Sequence, residues 1–319
     1  MHYEIRELIT EINQGRCVLF LGAGSTMACE SPLGGGVTGE GLAQSMVKSL
    51  GEDPTNFAAT LMEASEFIEA HSPQHRNALD AFIYERLHDL RPTIGHLLMT
   101  LFPWRAIITT NYNRVIETGY DVASTRGITK YSVVPFRTDE DLDVQSLGSD
   151  QIALFKPHGC LSIRNNSNSP MVLTAKDYYY STKKRKKMYE QVKQLAGKFS
   201  TLFVGYSLVD YNFNNIYYEL QETLGDYLAR SYSVIPVPSH KARYLQRVYQ
   251  RRDITLLDDK FDTFLIALAN EAGVLTSAAT SLTIEELSRP NVVQRLGLYA
   301  RGLPVPIIDE LTAKSITIP

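Results

Sequence analysis

Four short segments of the chain place glycine or polar residues directly after an apolar run. They are Gly22-Ala23-Gly24-Ser25, Thr109-Thr110-Asn111-Tyr112-Asn113, Lys156-Pro157-His158-Gly159 and Gly205-Tyr206-Ser207-Leu208. Glycines at such a position let a pyrophosphate approach the main chain, whose free amide groups then bind the anion. A histidine is suited to proton transfer because its ordinary pKa lies near neutrality. The first segment therefore indicates a nucleotide site, and the other three supply polar groups for it.

Each motif taken alone has a simpler interpretation. The glycine turn lacks the third glycine of a full G-x-G-x-x-G, because Ala28 stands at that position, and a tight turn without a ligand is an equally good reading. An asparagine at a strand end is often a turn former, and a histidine after proline is often a structural residue. The motifs are informative together, since ligands of open parallel sheets bind at the carboxyl ends of the strands.

The elements that would position these motifs are short apolar runs, typical of strands buried on both faces of a parallel sheet. Helical patterns separate several of them, which predicts the α/β class with a Rossmann-like, doubly wound parallel sheet. The predicted strands are Cys17–Leu21, Ala106–Thr110, Ser132–Pro135, Ile152–Lys156, Thr201–Gly205, Ser233–Val237 and Ile254–Leu257.

The long interval between the first two strands carries two apolar stripes at helical spacing, which predict a helical insertion at about residues 39–100. We expect the whole nucleotide-binding domain to cover residues 1–273. Beyond it the apolar pattern thins, and residues 274–319 are expected to form a short C-terminal helical extension. Such a segment cannot easily build its own core, so it would pack on the domain, join a neighbouring subunit or contact a partner.

The composition argues against several classes of protein. Of the 319 residues, 44% are hydrophobic and 21% charged, and the net charge of -3 fits an ordinary soluble protein rather than one that coats a polyanion. Three cysteines, at 17, 29 and 160, lack the C-x-x-C spacing of a structural zinc site, so no metal is expected. Because no apolar run is long enough for a membrane span, we expect a cytoplasmic protein without membrane contact.

One basic run, Lys183–Lys187, lies beside the tyrosines Tyr178–Tyr180. Basic residues next to aromatic ones can bind nucleic acid, but a solvated helix start is commoner and the net charge is slightly acidic. We therefore do not expect nucleic acid as a partner, and we expect the tyrosines to pack against the sheet. For His96 we expect a structural hydrogen bond to the glycine loop rather than a catalytic role.

Taken in chain order, G-A-G-x, T-T-N-Y, K-P-H-G and G-Y-S-L resemble the motifs of the sirtuin superfamily, and specifically the SIR2-like domains of bacterial anti-phage defence proteins. The resemblance covers roughly residues 16–270. It implies NAD as the substrate and a catalytic pair, in which Asn111 orients the ribose hydroxyls and the attacking water and His158 acts as general base. The residues that the resemblance places against NAD are Gly22, Ala23, Gly24, Ser25, Thr110, Asn113, Gly205 and Ser207.

The resemblance implies an NAD glycohydrolase that releases nicotinamide and ADP-ribose as the effector of an abortive-infection system. Control would come from a homo-oligomer, or from a separate sensor or activator protein. A second possibility is a non-catalytic regulatory subunit that binds NAD or ADP-ribose, because Asn113 stands where most relatives have an aspartate and so lacks its negative charge. A third, protein deacylase or ADP-ribosyltransferase activity, is disfavoured because the four-cysteine zinc ribbon of the deacylases is absent.

Overall fold

The computed structural model describes residues 3–274 except 32–33, 57–58, 165–168, 207–210 and 226–227. Its strands are β1 (Cys17–Leu21), β2 (Glu30–Ser31), β3 (Gly34–Gly35), β4 (Ala106–Thr109), β5 (Ser132–Phe136), β6 (Gln151–Phe155), β7 (Ser200–Val204), β8 (Ser231–Ile235) and β9 (Ile254–Asp258). Its helices are α1 (Tyr3–Asn13), α2 (Gly39–Ser49), α3 (Leu61–His71), α4 (Arg76–Leu87), α5 (Ile94–Leu98), α6 (Val115–Thr125), α7 (Ala175–Lys184), α8 (Lys186–Lys198), α9 (Tyr211–Leu224), α10 (Ala242–Arg251) and α11 (Phe261–Glu271).

Seven strands form one sheet in the order β5-β6-β4-β1-β7-β8-β9, and every neighbouring pair is parallel. The prediction of a Rossmann-like, doubly wound α/β fold is confirmed. Because all seven strands are parallel, β1, β4, β6 and β7 end at the same edge of the sheet. Each of the four motifs follows one of these strands, so the fold brings the motifs to a common edge.

The central strand β1 is buried on both faces, as its unbroken apolar run predicts. Cys17, Leu19 and Leu21 face one cluster, which helices α1, α5, α6 and α11 help to build. Val18 and Phe20 face the other cluster, which α8, α9 and α10 help to build. Packing of helices on both faces therefore fixes the position of β1 in the sheet, and with it the position of the glycine turn at its carboxyl end.

Four helices, α2 to α5, lie between β1 and β4, where the sequence predicts a helical insertion. Helices α2, α3 and α4 share a hydrophobic cluster with Tyr112, which lies in the second motif, and with Leu161 and Met171, which follow the third motif along the chain. Helix α5, by contrast, packs against α6 and α11 in the main helical layer. The insertion thus packs directly on the loops that carry the candidate catalytic residues.

His96 lies on α5 and is fully buried in a polar cluster. Its Nδ1 accepts a hydrogen bond from the main-chain amide of Thr93 at 3.2 Å, while the Thr93 hydroxyl donates to Asp262 at 2.5 Å. The expected hydrogen bond from His96 to the glycine loop is not found, since its Nε2 has no partner among the described residues. Burial lowers the pKa of His96 to about 3, so the ring is neutral at physiological pH.

The depressed pKa of His96 predicts a loss of stability in mild acid. Unfolding exposes the ring and restores its pKa of 6.5. Between about pH 3 and 6.5 the unfolded state therefore binds a proton at His96 that the folded state does not bind. The contribution of His96 is present above pH 6.5 and declines as the pH falls toward 3, by at most about 1.4 kcal/mol per pH unit.

Urea unfolding between pH 4 and 7 measures this effect, with His96→Asn as the comparison. Asparagine offers an oxygen near the position of Nδ1 but does not titrate, so its free energy of unfolding should depend less on pH than that of the wild type. Equal pH dependence in the two proteins would show that His96 does not carry the effect.

Within the described part of the chain, no helix is both long and apolar enough to cross a membrane. The predicted C-terminal extension from residue 275 onward lies outside the described residues.

Candidate functional site

The glycine turn packs tightly against the end of β7. A Cβ atom on Gly22 would lie 2.5 Å from the carbonyl oxygen of Gly205, and one on Gly205 would lie 2.4 Å from the amide nitrogen of Ser25. Gly205 also has a φ of +63°, a conformation that favours glycine. A side chain at either of these glycines would therefore separate β1 from β7 at the carboxyl edge of the sheet.

The main-chain amides of this turn are mostly occupied. Gly22 donates to the carbonyl of Val204 at 3.1 Å, Gly24 to that of Gly205 at 2.8 Å, and Ser25 to that of Gly22 at 3.0 Å. The expectation that these three amides are free to bind a phosphate is therefore wrong for this conformation. The glycines are explained instead by the close approach of two backbones, and their contact with a ligand stays a prediction.

Asn111 lies two residues beyond β4 and is 9% exposed. Its Nδ2 donates to the carbonyl of Gly22 at 3.0 Å and approaches the hydroxyl oxygen of Ser25 at 3.4 Å. Its main-chain amide is held by the side chain of Thr109, whose hydroxyl in turn donates to Leu21. The second motif is thus hydrogen-bonded to the glycine turn through Nδ2 of Asn111. The other polar atom of this side chain, Oδ1, can only accept hydrogen bonds.

Asn113 and Thr110 flank this asparagine. Asn113 is buried, and its Oδ1 accepts a hydrogen bond from the amide of Val115 at 3.3 Å, at the start of α6. An asparagine side chain that accepts a hydrogen bond from a main-chain amide two residues later is typical of a turn. This structural role accounts for an asparagine at position 113 without a ligand. Thr110 is half-buried at the end of β4, next to Asn111. Contact of either residue with a nucleotide remains a prediction.

His158 follows β6 and is 3% exposed. Its carbonyl accepts a hydrogen bond from the amide of Val172 at 2.9 Å, and the Val172 carbonyl accepts one from the hydroxyl of Tyr112 at 2.7 Å. The amide of Leu161 donates to the carbonyl of Tyr112 at 2.9 Å. The turns that carry Asn111 and His158 are therefore joined to each other directly and through the segment around Val172.

A tyrosine of α7 covers His158. The ring of Tyr178 lies edge-on to the imidazole, with ring centroids 5.4 Å apart. Tyr179 and Tyr180, which the sequence predicts to pack against the sheet, are instead 62% and 43% exposed. The prediction is therefore wrong for these two residues. Helical geometry gives the reason, because consecutive helix positions point in different directions and only Tyr178 faces inward.

Lys156 is fully buried at the end of β6, two residues before His158. Its Nζ donates to the carbonyl of Asn113 at 2.5 Å and lies 3.3 Å from Oε1 of Glu117, which is 4% exposed. Arg137 approaches the same carboxylate at 4.0 Å. The sequence placed Lys156 at the end of a predicted strand and at the start of the third motif but assigned it no role, and no pattern singled out Glu117.

Arg185 is also buried, at 1% exposure, although the sequence places it in the middle of the basic run. Its guanidinium donates to the carbonyls of Ser169 at 3.0 Å, Pro170 at 2.7 Å and Arg137 at 3.1 Å. Burial lowers the pKa of Arg185. The expectation of a uniformly solvated basic helix start is therefore wrong for this residue, which lies in the short interval between α7 and α8.

Ser207, the last residue expected to contact the nucleotide, lies outside the described residues. Ala23 and Gly24 are half-buried at the sheet edge, whereas Ser25 is buried and its hydroxyl donates to the carbonyl of Gly22. Ala23 and Gly24 are thus accessible in the turn. The Ser25 hydroxyl, by contrast, is used in a hydrogen bond within the turn.

The cysteines and the acidic residues do not assemble into a metal cluster in the part of the chain that the structure describes. Cys17, Cys29 and Cys160 are buried free thiols. Cys160 lies two residues after His158, and its pKa is lowered: burial acts to raise it, but the charge of Lys156 and hydrogen bonds with Ser162 outweigh burial. Lys156 therefore influences this turn electrostatically as well as through hydrogen bonds.

A cavity of about 430 Å³ opens at the other edge of the sheet. Its lining includes Ala106 and Gln151, which begin β4 and β6, together with Trp104 and Tyr131. Among the residues that the structure describes, none of the predicted site residues lines this cavity, because they lie at the carboxyl ends of the strands. The chemistry-bearing side chains and this cavity are thus separate features of the fold.

Comparison with known families supports the resemblance to the sirtuin superfamily. The model of the SIR2-like domain family matches residues 105–257, a little under half of the chain. The match includes the motifs of Asn111, His158 and Gly205 and begins after the glycine turn. Among solved structures, the chain is similar to a triple mutant of a Sir2 homologue in complex with 2'-O-acetyl ADP ribose, at 11% identity and a TM-score of 0.43, over 89% of this chain and 100% of that one. No curated protein matches the chain.

Proposed function

We propose that this protein is an NAD glycohydrolase that cleaves NAD to nicotinamide and ADP-ribose. The observation that carries the proposal is the bonded arrangement at the carboxyl edge of the sheet, where the Asn111 side chain donates to the glycine turn and the His158 turn is bonded to the Asn111 turn. The match of residues 105–257 to the SIR2-like domain family supports a nucleotide of the NAD type as the ligand.

The two side chains suit different parts of this reaction. Asn111 is fixed through its Nδ2, and its Oδ1 is left to accept a hydrogen bond from a ribose hydroxyl or from the attacking water. Its position is set by three hydrogen bonds to backbone and side chain, so little reorganisation is needed when substrate binds. His158 is buried beside Tyr178, in surroundings that limit the access of other water molecules.

In the proposed reaction the bond between the nicotinamide nitrogen and the ribose carbon breaks. The bonding electron pair leaves with nicotinamide, which departs neutral, and the ribose passes through a state with oxocarbenium character. One water molecule attacks the ribose carbon, and His158 accepts the proton that this water loses. NAD and water thus give nicotinamide, ADP-ribose and a proton, without an external oxidant or reductant.

Incubation of the purified full chain with NAD, followed by chromatography of the products, tests the proposal. We expect equal amounts of nicotinamide and ADP-ribose, with no requirement for an acylated peptide. If NAD binds by calorimetry but no nicotinamide appears at any protein concentration, nor after addition of a sensor protein that binds the chain, the proposal fails and the chain is a binding subunit.

The second candidate function is this binding subunit, which holds NAD or ADP-ribose without turnover. Asn113 favours it, because the side chain is engaged with the amide of Val115 and carries no negative charge that could steady a developing cation. The two functions differ in one observable, the release of nicotinamide, whereas both require nucleotide binding at the same edge of the sheet.

We further propose that the chain acts as the effector of a bacterial anti-phage system in the cytoplasm and depletes NAD once triggered. This role is carried by the resemblance of the four motifs. An enzyme that destroys NAD must be silent until needed, so we propose control by self-association or by a separate sensor protein. Light scattering of the protein with and without NAD tests the first form of control.

A further inference from the structure

We propose that the buried ion pair of Lys156 and Glu117 is a positioning element for the two catalytic turns. The proposal rests on the proposed function, in which Asn111 and His158 act on the same substrate. It concerns residues that do not touch substrate and act through the backbone of the turns that do.

The connection is made by one side chain. Lys156 belongs to the strand that leads into the His158 turn, and its Nζ donates at 2.5 Å to the carbonyl of Asn113, two residues after Asn111. A single buried ammonium group therefore joins the backbone of one catalytic turn to the strand of the other. Because Lys156 is fully buried, this hydrogen bond does not compete with water.

Glu117 supplies the charge that makes this burial possible. Its two carboxylate oxygens lie 3.3 Å and 3.4 Å from Nζ of Lys156, and it is placed by the first turn of α6, which begins just after Asn113. An unpaired buried cation would be strongly disfavoured, so the carboxylate offsets the cost of burying the ammonium group that donates to the turn. Lysine, glutamate and the asparagine turn thus form one unit.

A purely stabilising ion pair and a positioning one differ when both charges are removed together. Replacement of a buried pair by apolar residues of similar volume is often tolerated, whereas loss of one partner leaves a buried charge. The variant Lys156→Met/Glu117→Met therefore keeps a filled core but leaves the Asn113 carbonyl without its donor. If the pair positions the turn, this folded variant should release nicotinamide more slowly than the wild type. If the pair only stabilises the fold, the variant should release nicotinamide at the wild-type rate.

The experiment measures kinetics and hydrogen exchange on the same proteins. We expect Lys156→Met/Glu117→Met to fold, with a urea midpoint somewhat below that of the wild type because the Asn113 carbonyl loses its donor. We expect it to lose at least tenfold in kcat for nicotinamide release and to change KM by less than threefold. Peptides that cover residues 109–117 should exchange their amide hydrogens faster. The matched control, Lys193→Met/Glu219→Met, removes an ion pair between α8 and α9 near the surface. It should change neither the kinetics nor the hydrogen exchange of residues 109–117.

A wild-type kcat together with wild-type exchange in the double variant would overturn the proposal. If the double variant does not fold, Lys156→Arg decides the question, because arginine keeps a cation that can donate to the Asn113 carbonyl. Slow exchange at residues 109–117 in Lys156→Arg supports the proposal, and fast exchange in a folded Lys156→Arg overturns it. The exchange measurement does not depend on NAD cleavage, so a wild type without activity defeats the proposed function while the exchange result still decides the positioning role.

Discussion

Asn111→Ala and His158→Ala are each expected to lower kcat for nicotinamide release by about 10²–10⁴-fold, which is the range for loss of a positioned general base or of a transition-state contact. The two losses have different physical reasons. Without Asn111 the ribose hydroxyls and the water lose their acceptor, and without His158 the attacking water has no base. Product chromatography under saturating NAD measures both.

The structure indicates that Asn111→Ala should fold. The carbonyl of Gly22 accepts hydrogen bonds from the amide and hydroxyl of Ser25 as well as from Asn111, so it stays satisfied when the asparagine side chain is removed. Asn77→Ala and His240→Ala, at exposed positions on α4 and before α10, are the matched controls and should keep wild-type rates. A folded Asn111→Ala that releases nicotinamide at the wild-type rate would contradict the assigned role.

Asn111→Asp adds a sharper test of geometry. A carboxylate has nearly the same shape as the amide but no donor, so one of its oxygens would face the carbonyl of Gly22 across the 3.0 Å that the amide now bridges. We expect this variant to lose as much activity as Asn111→Ala, and to unfold at a lower temperature because two acceptors would face each other. A stable and active Asn111→Asp would mean that the contact to the glycine turn is unimportant.

The sheet could be predicted from the sequence because each strand carries its own signal. Apolar runs of four or five residues, separated by helical patterns, mark all seven strands of the sheet to within two residues at either end. The order of the strands required more than these runs. Placement of β1 between β4 and β7 follows from pairings between residues about 90 and 180 positions apart, which no local pattern encodes.

The candidate site could be predicted in part. The four motifs lie at one edge of the sheet because parallel strands end together, and that rule was available from the sequence. The reason for the glycines was not, since it depends on the approach of the β1 turn to Gly205, more than 180 residues away. Burial of Glu117 and Lys156 was equally hidden, because a charged residue in a sequence is ordinarily read as exposed.

Arg185 illustrates the same difficulty with the largest structural consequence. It belongs to a run of five basic residues, and nothing in the run distinguishes it from its neighbours. Its guanidinium lies 3.1 Å from the place that a Cβ atom on Gly159 would take, directly under the His158 turn. From there it donates to the carbonyls of Ser169 and Pro170, just before Val172, whose amide donates to the main-chain carbonyl of His158.

Arg185→Met is therefore expected to lower the free energy of unfolding by at least about 3 kcal/mol, because three buried or partly buried carbonyls lose their donor and each unsatisfied group costs about 1–3 kcal/mol. The matched control is Lys186→Met, one position further along, where an exposed side chain is replaced and the change should stay within about 0.5 kcal/mol. Urea unfolding of both variants measures the difference. Equal free energies of unfolding in the two variants would mean that Arg185 contributes no more than an exposed basic residue. A loss of stability in Arg185→Met alone would show that this buried guanidinium supports the His158 turn.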